Sequence, residues 1–357
     1  MDFYLYLVLG LAVVWILFRR CPLFAGLIFF TILSFIMGFR EYSVGTDTLG
    51  YVDRFDYYQI KLINCIWYPA AILSDGYEIG YMILYRVVGV FTDNSHILLV
   101  ANAVIFLLCV FCGCWKNSIL PLFSIFLFVL IYFLPSMNIM RQFVATGILL
   151  AGIHLLKKKK KWQYALIILL ASSIHAMTIA FFVVYVFFVP SLQRLYSRKS
   201  FFYTMMLATL IISQVGDLPQ YFANMSQLDA MVGERASSYM VRTWIENRAS
   251  TSIILQTIYF GYILYLMRDT NGIISKIVFL GVCIANIAGG FGDQTYRFSY
   301  IFMIFQILLL PNVFKELSGL KKWMMGGSAI LYSFVQYYVV ISTNASDVIP
   351  YVNCLIK

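Results

Sequence analysis

The chain has 357 residues, a formal net charge of +10, and a composition that is 62% hydrophobic and only 12% charged. A mean hydropathy of +0.83 means more apolar surface than a water-soluble core can hide, which excludes an ordinary soluble enzyme. In a membrane protein the excess of Lys and Arg belongs to cytoplasmic loops and to anion-binding Arg, so nucleic acid is not an expected partner.

A helix that crosses a bilayer needs roughly 20 apolar residues, and runs of about that length recur from end to end. Met1-Asp2-Phe3 lacks the basic start of a secretory signal peptide, so the first run is expected to remain as a helix. The predicted spans are residues 3–18, 22–39, 97–115, 118–134, 143–156, 201–215, 252–267, 273–290, 298–314 and 323–343, with a longer apolar stretch at 163–189. The expected fold is all-α: one polytopic integral membrane domain over residues 1–357, with about 10–12 transmembrane helices, some of them broken or re-entrant, and outer loops at 40–96 and 216–250.

Loop charge sets the sidedness. Lys157 to Lys161 is an unbroken run of lysines between apolar segments and belongs in the cytoplasm, joined by Arg19-Arg20, by Arg194, Arg198 and Lys199, and by Lys315, Lys321 and Lys322. The stretch 163–189 then lies between two basic loops that both favour the cytoplasm. Its 27 residues make ~40 Å of helix, too long for one ordinary span and short for two. It resolves as two short helices meeting near Ser172, Ser173 and His175 at the outer side, where irregular backbone must line a protein cavity. The amphipathic stretch 79–91, which contains Arg86, must be interfacial or re-entrant to keep the five lysines inside. The chain thus crosses about twelve times with both termini outside. The outer face receives residues 40–96, 135–142, the neighbourhood of His175, 216–250, 291–297 and the tail from 344. Arg40, Asp47, Arg141, His175, Asp293 and Arg297, each at the end of an apolar run, all fall there although none of them set the topology.

Five of the seven cysteines, Cys21, Cys109, Cys112, Cys114 and Cys283, lie in or beside apolar runs and read as small buried hydrophobes. Cys109 and Cys112 form a C-x-x-C with no His or carboxylate in the same run. Cys65 and Cys354 both fall in expected outer loops, which allows a disulfide between them.

Residues 38–56 read Gly-Phe-Arg-Glu-Tyr-Ser-Val-Gly-Thr-Asp-Thr-Leu-Gly-Tyr-Val-Asp-Arg-Phe-Asp. This pattern resembles the opening signature of the EpsG family of bacterial exopolysaccharide proteins, relatives of the Wzy-type O-antigen polymerases. The similarity continues in order along the chain: Glu78 before an aromatic amphipathic helix, Arg141-Gln142 after a short outer loop, Ile174-His175 inside an apolar pair, Arg297 with Tyr300, and Ile349-Pro350-Tyr351 near the end.

The resemblance implies a polymerase in the inner membrane of a bacterium, its site facing the periplasm, with a GT-C-like arrangement among the architectures it allows. Such an enzyme transfers a growing glycan from undecaprenyl pyrophosphate to the non-reducing end of another lipid-linked repeat unit. Its partners would be the lipid-linked donor and acceptor, membrane lipid and a chain-length regulator protein, with no cofactor and no nucleotide sugar. The reaction needs a base for the acceptor hydroxyl and a stabiliser for the pyrophosphate leaving group. Arg suits the second task because its planar fork binds phosphate bidentately and stays charged. Arg141, Arg297 and Arg40 are the candidates, against the alternative that each snorkels to headgroups.

The candidate bases are Asp47, Glu78, His175 and Asp293. His175 can accept a proton near neutral pH or can be a packed residue at a helix break. Asp47 alternatively caps a turn or helix, and Asp293 alternatively orients Arg297. Gln142, Arg242, Arg248, Tyr300 and Tyr351 are the expected substrate contacts, with the mixed-charge loop 216–250 either a lid or a solvated face. Trp67, Tyr68, Tyr77 and Trp244 suit sugar stacking or an interfacial aromatic belt equally. His96 and His154 lack charged neighbours and read as structural. No metal constellation is visible: Asp47, Asp53 and Asp56 sit beside Arg54 and make a poor cation cage, so a metal-independent transferase is expected.

Three other functions compete. A flippase for the same lipid-linked glycan should carry ionisable residues through the depth of its helices, and the cytoplasmic halves of these runs are almost free of them. A membrane acyltransferase would need its His near the cytoplasm. The sequence is also compatible with a scaffold in an export complex.

Overall fold

The computed structural model describes residues 2–62, 78–215, 251–289 and 293–355. Among them the backbone is helical almost throughout, no strand forms, and one isolated antiparallel bridge joins Arg40 to Asn353. The protein is an all-α polytopic membrane protein. In chain order the helices needed here are α1 (Asp2–Leu17), α2 (Pro22–Gly38), α3 (Thr48–Leu62), α4 (Ile79–Phe91), α5 (Ser95–Asn117), α6 (Pro121–Asn138), α7 (Met140–Gly152), α8 (Lys161–Ile174), α9 (Ala176–Phe188, wound as a 3-10 helix), α10 (Lys199–Val215), α11 (Thr251–Leu266), α12 (Ile273–Gly289), α13 (Arg297–Glu316) and α14 (Gly319–Thr343).

Four of the described helices, α5, α6, α13 and α14, are long and apolar enough to cross a membrane by themselves. A fifth span results if α9 and Pro190–Tyr196, bent by 72°, are one broken crossing, while α1, α2, α4, α8, α11 and α12 are shorter apolar helices. Each predicted span falls on a helix, with ends shifted by a few residues.

One predicted loop is absent. Residues 135–142 were expected to leave the membrane as an outer loop, but α6 runs on through Asn138, a single residue, Ile139, breaks the helix, and α7 begins at Met140. The reason lies one turn earlier. Pro135 cannot donate to the carbonyl four residues back and its ring crowds that carbonyl; a π-helical segment, Val129–Phe133, widens the ladder there and lets the helix continue.

The chain divides into two compact units, Met1–Ala180 with Leu310–Lys357, and Phe181–Leu309. In the first, α3 and α4 lie over α5 around a buried aromatic core of Tyr51, Phe55, Tyr81 and Tyr85 with Leu98 and Leu99, and Met140 of α7 closes it. The tail returns to the exit of α2. The Asn344 side chain accepts hydrogen bonds from the backbone of Val348 and Ile349, both at 3.0 Å. Glu41 then donates to the Val352 carbonyl, and Cys354 to the Phe39 carbonyl, each at 2.9 Å. In the second unit the buried Asn286 ties three helices together: its amide donates to the Met206 carbonyl and Thr209 hydroxyl, both at 3.1 Å, and its carbonyl oxygen accepts from Thr257 at 2.6 Å. Burying such polar groups in an apolar bundle is tolerable because each finds a partner.

Candidate active site

The loop between α2 and α3 is shaped by two residues. Gly45 has φ of +90°, a left-handed conformation that a residue with a Cβ resists, and its amide donates to the Asp347 carbonyl of the tail at 2.7 Å. Arg40 is fully buried. Its guanidinium donates to the Met37 carbonyl, to the Val44 carbonyl at 3.3 Å, to the Met137 carbonyl at 2.8 Å and to the Met140 sulfur at 3.0 Å. Burial pushes it down to about 10, so it stays charged at neutral pH and clamps the loop to the α6–α7 junction. The backbone N–H of Asp47 donates to the Asn138 side chain at 2.9 Å, bringing a second candidate to the same junction.

Arg141 follows that junction by two residues and meets Glu78. The guanidinium Nη1 donates to Oε2 of Glu78 at 2.6 Å, with both side chains 20% exposed. Two tyrosine faces flank the cation, Tyr51 with its centroid at 5.9 Å and Tyr81 at 5.8 Å from Cζ, which favours the charge without neutralising it. Glu78 precedes α4 but makes no side-chain bond to its own helix. Instead its Oε1 accepts from the first N–H of α9, that of Ala176, at 2.8 Å, where a carboxylate suits the positive end of a helix.

His175 lies in the break between α8 and α9, outside both helices. Its Nδ1 is 3.7 Å from Glu78 Oε1, too long for a hydrogen bond but close enough for the carboxylate to attract an imidazolium. Nδ1 is buried and has no hydrogen-bond partner among the described residues. Burial holds the imidazole below its ordinary range, with Glu78 opposing that and Arg141 reinforcing it, so the neutral ring predominates near pH 7. The two segments can approach because residue 80 is glycine: a Cβ there would lie 2.6 Å from the Ser173 carbonyl oxygen.

Glu78, Arg141 and His175 therefore form one cluster, with Arg40 and Asp47 on the adjoining junction. Gln142 is buried beside Arg141. Tyr351 is half-buried; its hydroxyl donates to the Ile36 carbonyl at 3.1 Å and its ring stacks on Phe3 at 4.3 Å, which ties the tail to α1 and α2. Arg297 and Tyr300 belong to the second unit, half-buried in the first turns of α13. There Tyr300 packs edge-on to Tyr296, whose hydroxyl donates to Gln256 at 3.0 Å. The side chain of Asp293, the loop holding Arg242 and Arg248, and the aromatic residues Trp67, Tyr68, Tyr77 and Trp244 lie outside the described residues, as does Cys65. Cys21 and Cys112 are exposed where small buried hydrophobes were expected, because a short apolar run does not reveal which helix face meets the bundle. Among the described residues no group of three His, Cys, Asp or Glu gathers as a metal-ligand set.

Sequence reasoning missed Tyr51, Tyr81 and the Ala176 amide. The tyrosines carried a signal, since each occurs in a helix adjacent to a candidate charge; the amide carried none, because only the break in three dimensions presents it. A model of the EpsG family matches residues 23–353, nearly the whole chain. No curated protein and no solved structure matches the chain.

Proposed function

We infer the activity from a plain premise: the chain belongs to the EpsG family, and membership supports a polysaccharide polymerase-like role. The reading we propose is a glycosyltransferase that uses lipid-linked glycans on the outer face of the bacterial inner membrane. A growing chain leaves undecaprenyl pyrophosphate and joins the non-reducing end of another lipid-linked repeat unit, with no metal required. The observation that carries it is the Glu78–Arg141–His175 cluster. Arg141 would bind the pyrophosphate, since its fork offers five donors and is held in orientation by one carboxylate oxygen and two aromatic faces. His175, neutral and facing Glu78, would take the proton of the acceptor hydroxyl, and Glu78 would stabilise the imidazolium that forms. Arg40 and Asp47 would position the junction that carries Arg141, and Arg297 would serve as an anion-binding residue of its own unit.

The test is the purified protein with lipid-linked repeat units, the products being resolved on a gel. A ladder of glycan lengths without nucleotide sugar, persisting in EDTA, is the expected result; unchanged substrate with lipid scrambling in vesicles would instead indicate transport. Arg141→Ala should slow extension by roughly 10² to 10³, the usual cost of removing a preorganised stabiliser of developing charge, and Arg141→Lys should rescue poorly because a point charge cannot reproduce the fork. Long polymer made by Arg141→Ala at the normal rate would remove the pyrophosphate role.

A further inference from the structure

At the opposite, basic ends of the helices the first unit has a half-open cavity of about 610 Å³, within the range of small-molecule sites. Its wall is apolar and aromatic, formed by Trp15, Pro121, Phe314 and Trp323, with Gly327 on one side and Arg19 as the cation among the lining residues. Trp15 is itself braced, stacking on Phe123 at 5.7 Å. Lys322 places its ammonium 5.1 Å from the centroid of Phe314, adding a second positive charge at the edge. The segments that meet here carry Arg19, Arg20, Lys315, Lys321 and Lys322 against one acid, Glu316, and Arg19 makes no ion pair among the described residues.

We propose that this cavity is a binding site for an anionic phospholipid of the cytoplasmic leaflet, with an acyl chain between Trp15, Phe314 and Trp323 and the headgroup phosphate on Arg19. Charge and shape both select that occupant. The positive-inside rule puts these basic ends in the cytoplasm, where the leaflet surface is anionic and each nearby Lys or Arg attracts it. The lining is predominantly apolar, which suits an acyl chain better than a wholly polar molecule. A headgroup without net charge would leave Arg19 and Lys322 uncompensated. The site lies apart from the Glu78–Arg141–His175 cluster in sequence and chemistry, and it stands whether or not the chain is a polymerase.

Gly327 supplies a clean probe, because a Cβ built there meets nothing within 4 Å, so a larger side chain can enter the cavity without displacing the fold. The experiment is native mass spectrometry of the full chain in detergent with phosphatidylglycerol or phosphatidylcholine of identical acyl chains. Wild type should retain phosphatidylglycerol in preference, and Arg19→Gln should remove about fivefold of that preference. Gly327→Leu should lower retention of both lipids at unchanged melting temperature. If Gly327→Leu does not fold, Arg19→Gln still decides, its side chain being exposed. The proposal is overturned by equal retention of the two lipids in wild type, by an Arg19→Gln protein that keeps the full preference, or by a folded Gly327→Leu protein that retains lipid as wild type does. Displacement of phosphatidylglycerol by equimolar undecaprenyl phosphate would also overturn it, reassigning the cavity to a polyprenyl chain.

Discussion

His175 shows how a single side chain links stability, pH and the proposed chemistry. Its imidazole is held below the ordinary value of about 6.5, so between the folded and unfolded values the unfolded chain binds the proton and the native chain does not. Stability therefore rises with pH through that window and is lost as pH falls below about 6.5. Melting curves of wild type and His175→Asn across that range should diverge in slope, with the variant flatter; parallel slopes would mean that His175 is not titrating as argued. The same shift keeps the proposed base unprotonated at neutral pH, so extension by wild type should persist below pH 6.5. In Arg141→Lys the retained positive charge should leave that acid limb in place while the rate falls. The three members of this cluster were legible in the sequence because charged residues are rare in so apolar a chain and these stand at the ends of its runs. Arg40 was legible as a charge but not as a clamp, since the carbonyl of Met137 that receives it lies 97 residues away.

At the scale of elements, apolar run length located the expected spans but not α3, whose mixed sequence fell in an expected outer loop, and the excess length of 163–189 located the break that the structure puts at His175. What run length could not show was how a helix tolerates a proline, and so the π segment before Pro135 and the continuation of α6 were unreadable. Nor could it show that α4 must come within backbone contact of the α8 break. That approach depends on Gly80, because a Cβ there would sit 2.4 Å from the Ser173 hydroxyl and 2.8 Å from its carbonyl carbon. Gly80→Val should push the start of α4 away, carrying Glu78 off both Arg141 and Ala176. The expected outcome is a loss of about 1–3 kcal/mol, the range for overpacking, together with loss of extension. Gly50→Ala makes the control: Gly50 lies within α3 with nothing near its Cβ position, so that change should be neutral or add about 0.5–1 kcal/mol. Equal melting temperatures for the two variants would show that the approach at Gly80 is not needed.

For the molecule as a whole, the proposed site has meaning only if the His175 break and the lysine run stand on opposite sides of the membrane. Lys161 begins α8 and Ile174 ends it, so the helix spans about 21 Å at 1.5 Å per residue, enough to carry the chain across most of a hydrocarbon core of roughly 30 Å. If the lysines at one end lie in the cytoplasm, as loop charge predicts, the Glu78–Arg141–His175 cluster would stand near the other surface, where the proposed membrane-borne pyrophosphate would arrive. A cysteine-free background carrying Ser173→Cys or Gln163→Cys tests this with a membrane-impermeant thiol reagent added to intact cells. Gln163 is exposed near the start of α8, so its change should not disturb packing; Ser173 lies against Gly80, so the Ser173→Cys protein is also checked for an unchanged melting temperature. Labelling at position 173 and none at 163 is the expected pattern. Labelling of 163 alone, or of both, would place the lysines outside and remove the cluster from the face on which the lipid-linked substrate is expected.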